Sequence, residues 1–166
     1  MAANLRKRLA LDTNVLMDLS RGSDWAHDFL DAFRRLAYEL LVPPTVVAEL
    51  TWLALGDEPE DAANASRALG QLDRPWRLLP FELPSVHEAV AARFAGRLIE
   101  QGLLPEDETC DGIILAEASL QSVPLLATSD NHLLGIEEFA LKLAFADADL
   151  EPVAVASPRR LLKALR

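Results

Sequence analysis

Leu9-Ala10-Leu11-Asp12-Thr13-Asn14-Val15-Leu16 is the stretch that decides the fold. Three apolar residues in a row, ended by a polar turn, read as a short strand buried on both faces. Asn14 to Leu19 then reads as a short helix, so the chain leaves the strand and turns back over the sheet. The same pattern recurs downstream. Leu40-Leu41-Val42 is a second strand candidate, halted by Pro43-Pro44, and proline suits a first helical turn, so Thr45 to Leu55 continues as a helix. Leu125-Leu126-Ala127 is another buried strand, ending in Thr128-Ser129-Asp130 with a helix after it. Trp76 to Leu79 and Val153-Ala154-Val155 supply two more strands. Ser23 to Leu40, Pro59 to Leu72, Pro84 to Glu100 and Pro105 to Leu120 read as helices. Ser23 or Asp24 caps the first of these, Gly102 follows the third, and Pro158 opens a last helix. Strands alternating with helices imply an α/β sandwich of three layers, a central parallel sheet with helices on both faces. In such sheets ligands bind beyond the carboxyl ends of the strands, where the strand order reverses.

The chain has 166 residues, 51% of them hydrophobic, enough for one ordinary domain with a sizeable core. No repeat or glycine-serine linker divides it, so residues 1–166 read as one domain. The apolar runs are far shorter than a membrane span and no signal-peptide pattern opens the chain, so a cytoplasmic protein is expected. The single Cys110 excludes an internal disulfide and any multi-cysteine zinc site; it reads as a small buried hydrophobe. His27, His87 and His132 lack zinc-ligand spacing. The formal charge of −10 argues against a protein that coats nucleic acid non-specifically. An RNA substrate would need local basic clusters, of which the sequence offers Arg6-Lys7-Arg8, Arg34-Arg35 and Arg159-Arg160. Any one of them also reads as an ordinary solvated helix end.

Four carboxylates occupy expensive places. Asp12 and Asp130 each follow an apolar strand directly, which puts both at the carboxyl edge of the sheet; each also suits the N-cap of the next helix. Asp111 has Ile114, Leu115 and Ala118 as its neighbours on a helical wheel, so it sits in the middle of an apolar face. Burying a lone charge there costs several kcal/mol unless it is paired or bound to a metal. A position near a helix start contributes only about 0.3–1 kcal/mol in return. Glu49 flanks the stripe of Val46, Leu50 and Leu53, a place where a solvated boundary residue is equally at home. Carboxylates without a His or Cys framework select hard cations such as Mg²⁺ or Mn²⁺ over zinc.

The order of these motifs resembles the PIN-domain nucleases, including toxin ribonucleases of the VapC type. Leu11-Asp12-Thr13-Asn14-Val15-Leu16 resembles the family's opening strand and turn, and Val46-Val47-Ala48-Glu49-Leu50 its helix bearing one glutamate. Asp111-Gly112-Ile113-Ile114-Leu115-Ala116 is similar to the third motif, and Leu126-Ala127-Thr128-Ser129-Asp130-Asn131-His132-Leu133 to the fourth. The resemblance implies a PIN-like fold in which Asp12, Glu49, Asp111 and Asp130 bind Mg²⁺ or Mn²⁺ for hydrolysis of RNA phosphodiester bonds. It further implies support from the Thr13 and Thr128 hydroxyls, a turn shaped by Asn14, a homodimer, and an antitoxin that covers the cleft by inserting an arginine. Two departures stand out. Cys110 occupies a place where many relatives carry a polar residue such as Asn, and the chain is longer than compact toxins around residues 57–75 and 137–152.

Other functions fit less well. A phosphotransfer enzyme of the haloacid-dehalogenase type would place a second aspartate where Asn14 stands, and a receiver domain would carry a lysine after Asp130. A non-catalytic PIN-like module that binds RNA or protein is the alternative, and metal-dependent cleavage of RNA separates the two. His132 is a surface structural residue or an aid to proton transfer.

Overall fold

The structure, a computed structural model, describes residues 7–166; Arg6 of the first basic cluster lies outside the described residues. The chain starts with strand β1 (Arg8–Leu11), turns at Asp12 into helix α1 (Thr13–Ser20), and continues with α2 (Asp24–Arg35), β2 (Glu39–Val42) and α3 (Pro44–Ala54). After α4 (Pro59–Gln71) come β3 (Leu79–Pro80), α5 (Ser85–Glu100), α6 (Thr109–Leu120) and β4 (Leu125–Ala127). Helices α7 (Asn131–Leu134) and α8 (Glu138–Asp147), strand β5 (Ala154–Ala156) and helix α9 (Pro158–Ala164) complete it. The strands form one parallel sheet in the order β3-β2-β1-β4-β5. The expected α/β architecture with a central parallel sheet is what the chain adopts.

Leu9, Ala10 and Leu11 of β1 are fully buried at the centre of that sheet, with Leu40, Leu41 and Val42 beside them on one side and Leu126 and Ala127 on the other. The chain moves outward from β1 to β2 and β3, then returns to β4 and β5 on the opposite side. The order therefore reverses at β1, and a crevice opens beyond its carboxyl end. Leu11 pairs with Ala127, so the next residue of each strand, Asp12 and Thr128, come out side by side.

Several boundaries differ from the sequence expectation. Of the expected strand Trp76 to Leu79 only Leu79 is extended into β3: Arg77 has a φ of 55°, and Leu78 N–H donates to the carbonyl of Leu72 at 2.7 Å. The segment is a turn that folds Trp76 and Leu78 back into the core, and this alternation of buried side chains imitates a strand; only Leu79 and Pro80 pair with β2. The second helix stops at Arg35 rather than Leu40, because Ala37 turns left-handed (φ 60°) and Tyr38 N–H bonds back to Phe33. Helix α6 starts at Thr109; residues 105–108 form a turn closed by Glu108 N–H to Pro105 at 3.1 Å. The last strand runs one residue later than expected, and α8 is a separate helix within the extra length at 137–152. The other extra stretch contains α4. It is tied to the end of α1 by Ser20 Oγ donating to the Asn64 carbonyl at 2.7 Å and by Arg67 Nη1 donating to the Ser20 carbonyl at 2.9 Å.

Gly112 sets the spacing between α5 and α6. A Cβ at this position would stand 2.7 Å from Ala95 Cβ and 2.8 Å from Ala95 Cα, closer than side-chain contacts allow. The two helices touch backbone to backbone just behind Asp111. Gly112→Ala gains about 1 kcal/mol of helix propensity but overpacks a contact with little room to relax, at a cost of about 1–3 kcal/mol. We expect a net loss of stability, read as a lower urea midpoint with unchanged slope; a midpoint above the parent's would refute the close contact.

Candidate functional site

Each of the four carboxylates is delivered by a different element to the carboxyl edge of the sheet. Asp12 follows β1 and caps α1, with Oδ1 accepting from Thr13 N–H at 2.7 Å. Its Oδ2 accepts from the Thr128 hydroxyl at 2.6 Å and from Asn14 Nδ2 at 3.2 Å. Asp130 follows β4 by three residues and caps α7, accepting from His132 N–H at 2.8 Å and Leu133 N–H at 2.9 Å. Both therefore play the capping role, and both also face the same opening. Glu49 lies on α3, where its carboxylate accepts from the Thr13 hydroxyl. Asp111 is the third residue of α6, with Ile114, Leu115 and Ala118 buried around it as the helical wheel implies.

The supporting residues knit β1 to β4. Thr128, with none of its surface exposed, donates to Asp12 and accepts from Asp130 N–H at 3.0 Å and from Asn14 Nδ2 at 3.2 Å. Asn14 also accepts from Ser129 N–H at 2.9 Å. The crevice holds about 280 Å³ and is lined by Asp12, Glu49, Asp111, Asp130 and Asp61, together with Thr13, Asn14 and Arg21.

Burial raises the pKa of Asp12, against the hydrogen bonds of Thr128 and Thr13, and the charge of Asp130 raises it further. Burial likewise raises Glu49, with Asp12 adding to the shift. Asp111 is raised as well. Burial first, then the charges of Asp12 and Asp130, push it up to about 8. It is 8% exposed, and its Oδ2 is buried without a hydrogen-bond partner. A buried acceptor with nothing to accept from is rare and points to a missing ligand or a stored repulsion.

The PIN-domain family profile matches residues 9–138, a span that includes all four carboxylates. The chain belongs to the PIN-domain family. No curated protein gives a significant match. Among solved structures, the PIN chain resembles VapBC2 from Rickettsia felis bound to a DNA fragment from their promoter, at TM-score 0.60 and 18% identity over 78% of this chain and 92% of that one. It also resembles FitAcB from Neisseria gonorrhoeae, at TM-score 0.53 and 26% identity over 90% of this chain and 97% of that one. FitAB bound to an IR36 DNA fragment is similar at TM-score 0.51 and 26% identity, over 90% of this chain and 94% of the other.

Some residues of this PIN domain depart from the sequence reading. Cys110 is exposed rather than buried, because the first turn of α6 points it towards α3, where it lines an apolar hollow with Thr45, Ala48, Trp52 and Leu53. Partial desolvation and the charges of Glu49 and Asp111 raise its pKa, the opposite of an activated thiol. Trp52, at the rim of that hollow, is 81% exposed. His132 is exposed and faces Glu108 at 3.6 Å, as a surface histidine would. Members of each basic cluster are engaged away from the crevice: Lys7 lies over Tyr38, Arg8 pairs with Glu39 at 2.8 Å, Arg34 faces Asp31 at 3.9 Å, and Arg159 lies over Trp25. Arg21, which the sequence reading passed over, is the one base among the described crevice residues; it pairs with Asp61 at 3.0 Å and Asp18 at 3.6 Å. Glu117 was also passed over. It is 5% exposed on α6 and accepts from Thr45 Oγ1 at 2.8 Å and Thr45 N–H at 3.1 Å. Its spacing from Asp111 on one helix was visible, but its partner on α3 was not.

The shift of Asp111 sets a pH dependence. Unfolded, the carboxyl ionises near its ordinary value of 3.8, whereas folded it keeps its proton to about 8. Between those values the native state binds more protons than the unfolded state, so metal-free stability falls as pH rises through that window. Asp12 and Glu49 shift with the same sign. Asp111→Asn removes the Asp111 contribution. In chelator it is expected to be at least as stable as the parent at pH 8, with a shallower decline between pH 4 and pH 8 by urea denaturation. An equal or steeper decline would mean that Asp111 is a structural acid with a compensating partner.

Proposed function

We propose that this PIN domain is a metal-dependent endoribonuclease whose catalytic and metal-binding residues are Asp12, Glu49, Asp111 and Asp130. The observation that supports this most directly is Asp111 Oδ2, a buried oxygen without a partner on the wall that the other three carboxylates share. The donor set is all oxygen, which suits Mg²⁺ or Mn²⁺ and not a soft metal. Among the described residues, no three His, Cys, Asp or Glu side chains stand close enough as placed to hold one ion. The four acids line one crevice without closing into a cage. That is the arrangement like charges adopt when nothing offsets them. A bound divalent cation would offset that charge, acidify water and stabilise negative charge on the phosphate.

The protein's own residues hold the donors in place. Thr128, Asn14 and Thr13 N–H fix Asp12; the first turn of α7 fixes Asp130; and the Thr13 hydroxyl fixes Glu49. Asp111 differs in that its free oxygen, Oδ2, is buried. Arg21 offers the crevice's cationic contact for a phosphate in an otherwise acidic opening. The non-catalytic alternative leaves the strained Asp111 without a role.

Within the same proposal the chain is the toxin of a toxin–antitoxin pair. The VapBC2 and FitAB assemblies among its structural neighbours support that assignment, and a partner arginine set among the carboxylates would neutralise the crevice. Pure protein should cleave RNA with Mg²⁺ or Mn²⁺ and stop in excess chelator. Asp111→Asn should lower the rate about a hundredfold, the scale of misplacing a reacting group. Undiminished cleavage in chelator would sink the metal mechanism, and no cleavage of any RNA would favour the binding module.

A homodimer belongs to the proposal too. Trp52, Leu55, Val86, Phe139 and Leu143 expose large apolar side chains that a second copy could cover. Sedimentation at micromolar concentration should show the dimer mass, and a monomer alone would contradict it.

A further inference from the structure

Helices α3 and α6 pack against each other and carry two of the four carboxylates, Glu49 and Asp111. Their relative position along their axes sets how far apart those two acids stand. Thr45 and Glu49 are four residues apart on α3 and so lie one above the other on the same face. On α6, Cys110 and Glu117 are seven residues apart and also share a face. The Cys110 thiol lies beside Glu49 and, two turns further along α6, the Glu117 carboxylate grips Thr45. The helices thus run in opposite directions, joined at the Thr45 end by a two-point hydrogen bond.

That bond is unusual for a structural contact. A glutamate with 5% of its surface exposed is expensive to bury, and burial raises its pKa even against the two bonds from Thr45. Its acceptors meet one backbone donor in the first turn of α3 and the hydroxyl of the same residue, so they fix both the height and the rotation of that helix end. A neutral side chain could satisfy the lone N–H. A two-oxygen clamp also resists sliding, and one turn further along α3 the residue it holds in register is Glu49.

We infer that Glu117 is a positioning residue of the carboxylate site: through Thr45 it locks α3 against α6 and so fixes Glu49 opposite Asp111 for the divalent cation. This rests on the metal-site reading given above. The test is calorimetric titration of metal-free protein with Mn²⁺, comparing the parent with Glu117→Gln, Thr45→Val and Thr45→Ser. Losing a residue that orients a ligand lowers metal affinity about tenfold or more. Glu117→Gln and Thr45→Val should both show that loss, and Thr45→Ser, which keeps the hydroxyl, should bind as the parent does. Leu141→Ala, on α8 in a hollow that no residue of α3 or α6 lines, should lower thermal stability and leave Mn²⁺ affinity unchanged, which separates positioning from general destabilisation. If Glu117→Gln does not fold, the two Thr45 variants carry the comparison. Parent-like Mn²⁺ affinity in Thr45→Val would overturn the inference; together with a weakened Glu117→Gln it would show Glu117 acting as a charge rather than through Thr45. A parent that takes up no Mn²⁺ would overturn the metal-site reading itself, and the inference with it.

Discussion

Asp12 is a carboxylate with 3% of its surface exposed, at the end of the central strand. Its burial would cost several kcal/mol with no partners. Three donors converge on it instead, from Thr13, Asn14 and Thr128. Two of these come from the turn into α1 and the third from the neighbouring strand, so satisfying one buried charge joins β1, α1 and β4 at a single point. The same Thr128 hydroxyl accepts from Asp130 N–H, and the same turn sends the Thr13 hydroxyl to Glu49. The position of three carboxylates is therefore derived from one hydrogen-bonded knot. Loosening any thread of it would move several acids together.

The knot explains why the convergence of these carboxylates is legible in the sequence while much around it is not. Strand Leu9-Ala10-Leu11 is a continuous apolar run ended by a polar residue, and such runs announce both a buried strand and its carboxyl edge. Asp12 and Asp130 were found because they touch that edge in sequence as well as in space. Asp111 was found because an acid in an apolar helix face is anomalous at any range. Glu117 was missed because its partner lies 72 residues away, and nothing in either local pattern announces a meeting. Trp76 and Leu78 were misread as a strand because burial at alternate residues looks the same whether the backbone is extended or turned through a positive φ. Cys110 was placed in the core on residue type alone. Its exposure depends on which side of the first turn of α6 faces α3, which only the packing decides.

Electrostatics divides the molecule into two regimes. Over most of the surface, acids and bases form short-range pairs such as Arg8–Glu39 and Lys142–Glu138, which contribute little individually. At the carboxyl edge the balance is abandoned, and Asp12, Glu49 and Asp111 are all displaced in the same direction by burial and by neighbouring carboxylates. Such a region is held together by neutral hydrogen bonding and by apolar packing behind it, above all the backbone contact at Gly112. Close packing stiffens the wall behind the carboxylates.

The placement of the tryptophans gives the protein a built-in optical readout. Trp76 is enclosed in the core, whereas Trp52 stands in solvent one turn along α3 from Glu49, beside a hollow lined by Cys110 and Thr45. Indole emission shifts to the red in water and to the blue in an apolar surround, so Trp52 and Trp76 emit at different wavelengths and differ in their access to dissolved quenchers, while the third indole, Trp25, is half-buried under Arg159. Anything that settles in the hollow beside Glu49 would shield Trp52 and leave Trp76 unchanged, so the occupancy of that hollow can be followed in solution without attaching a label.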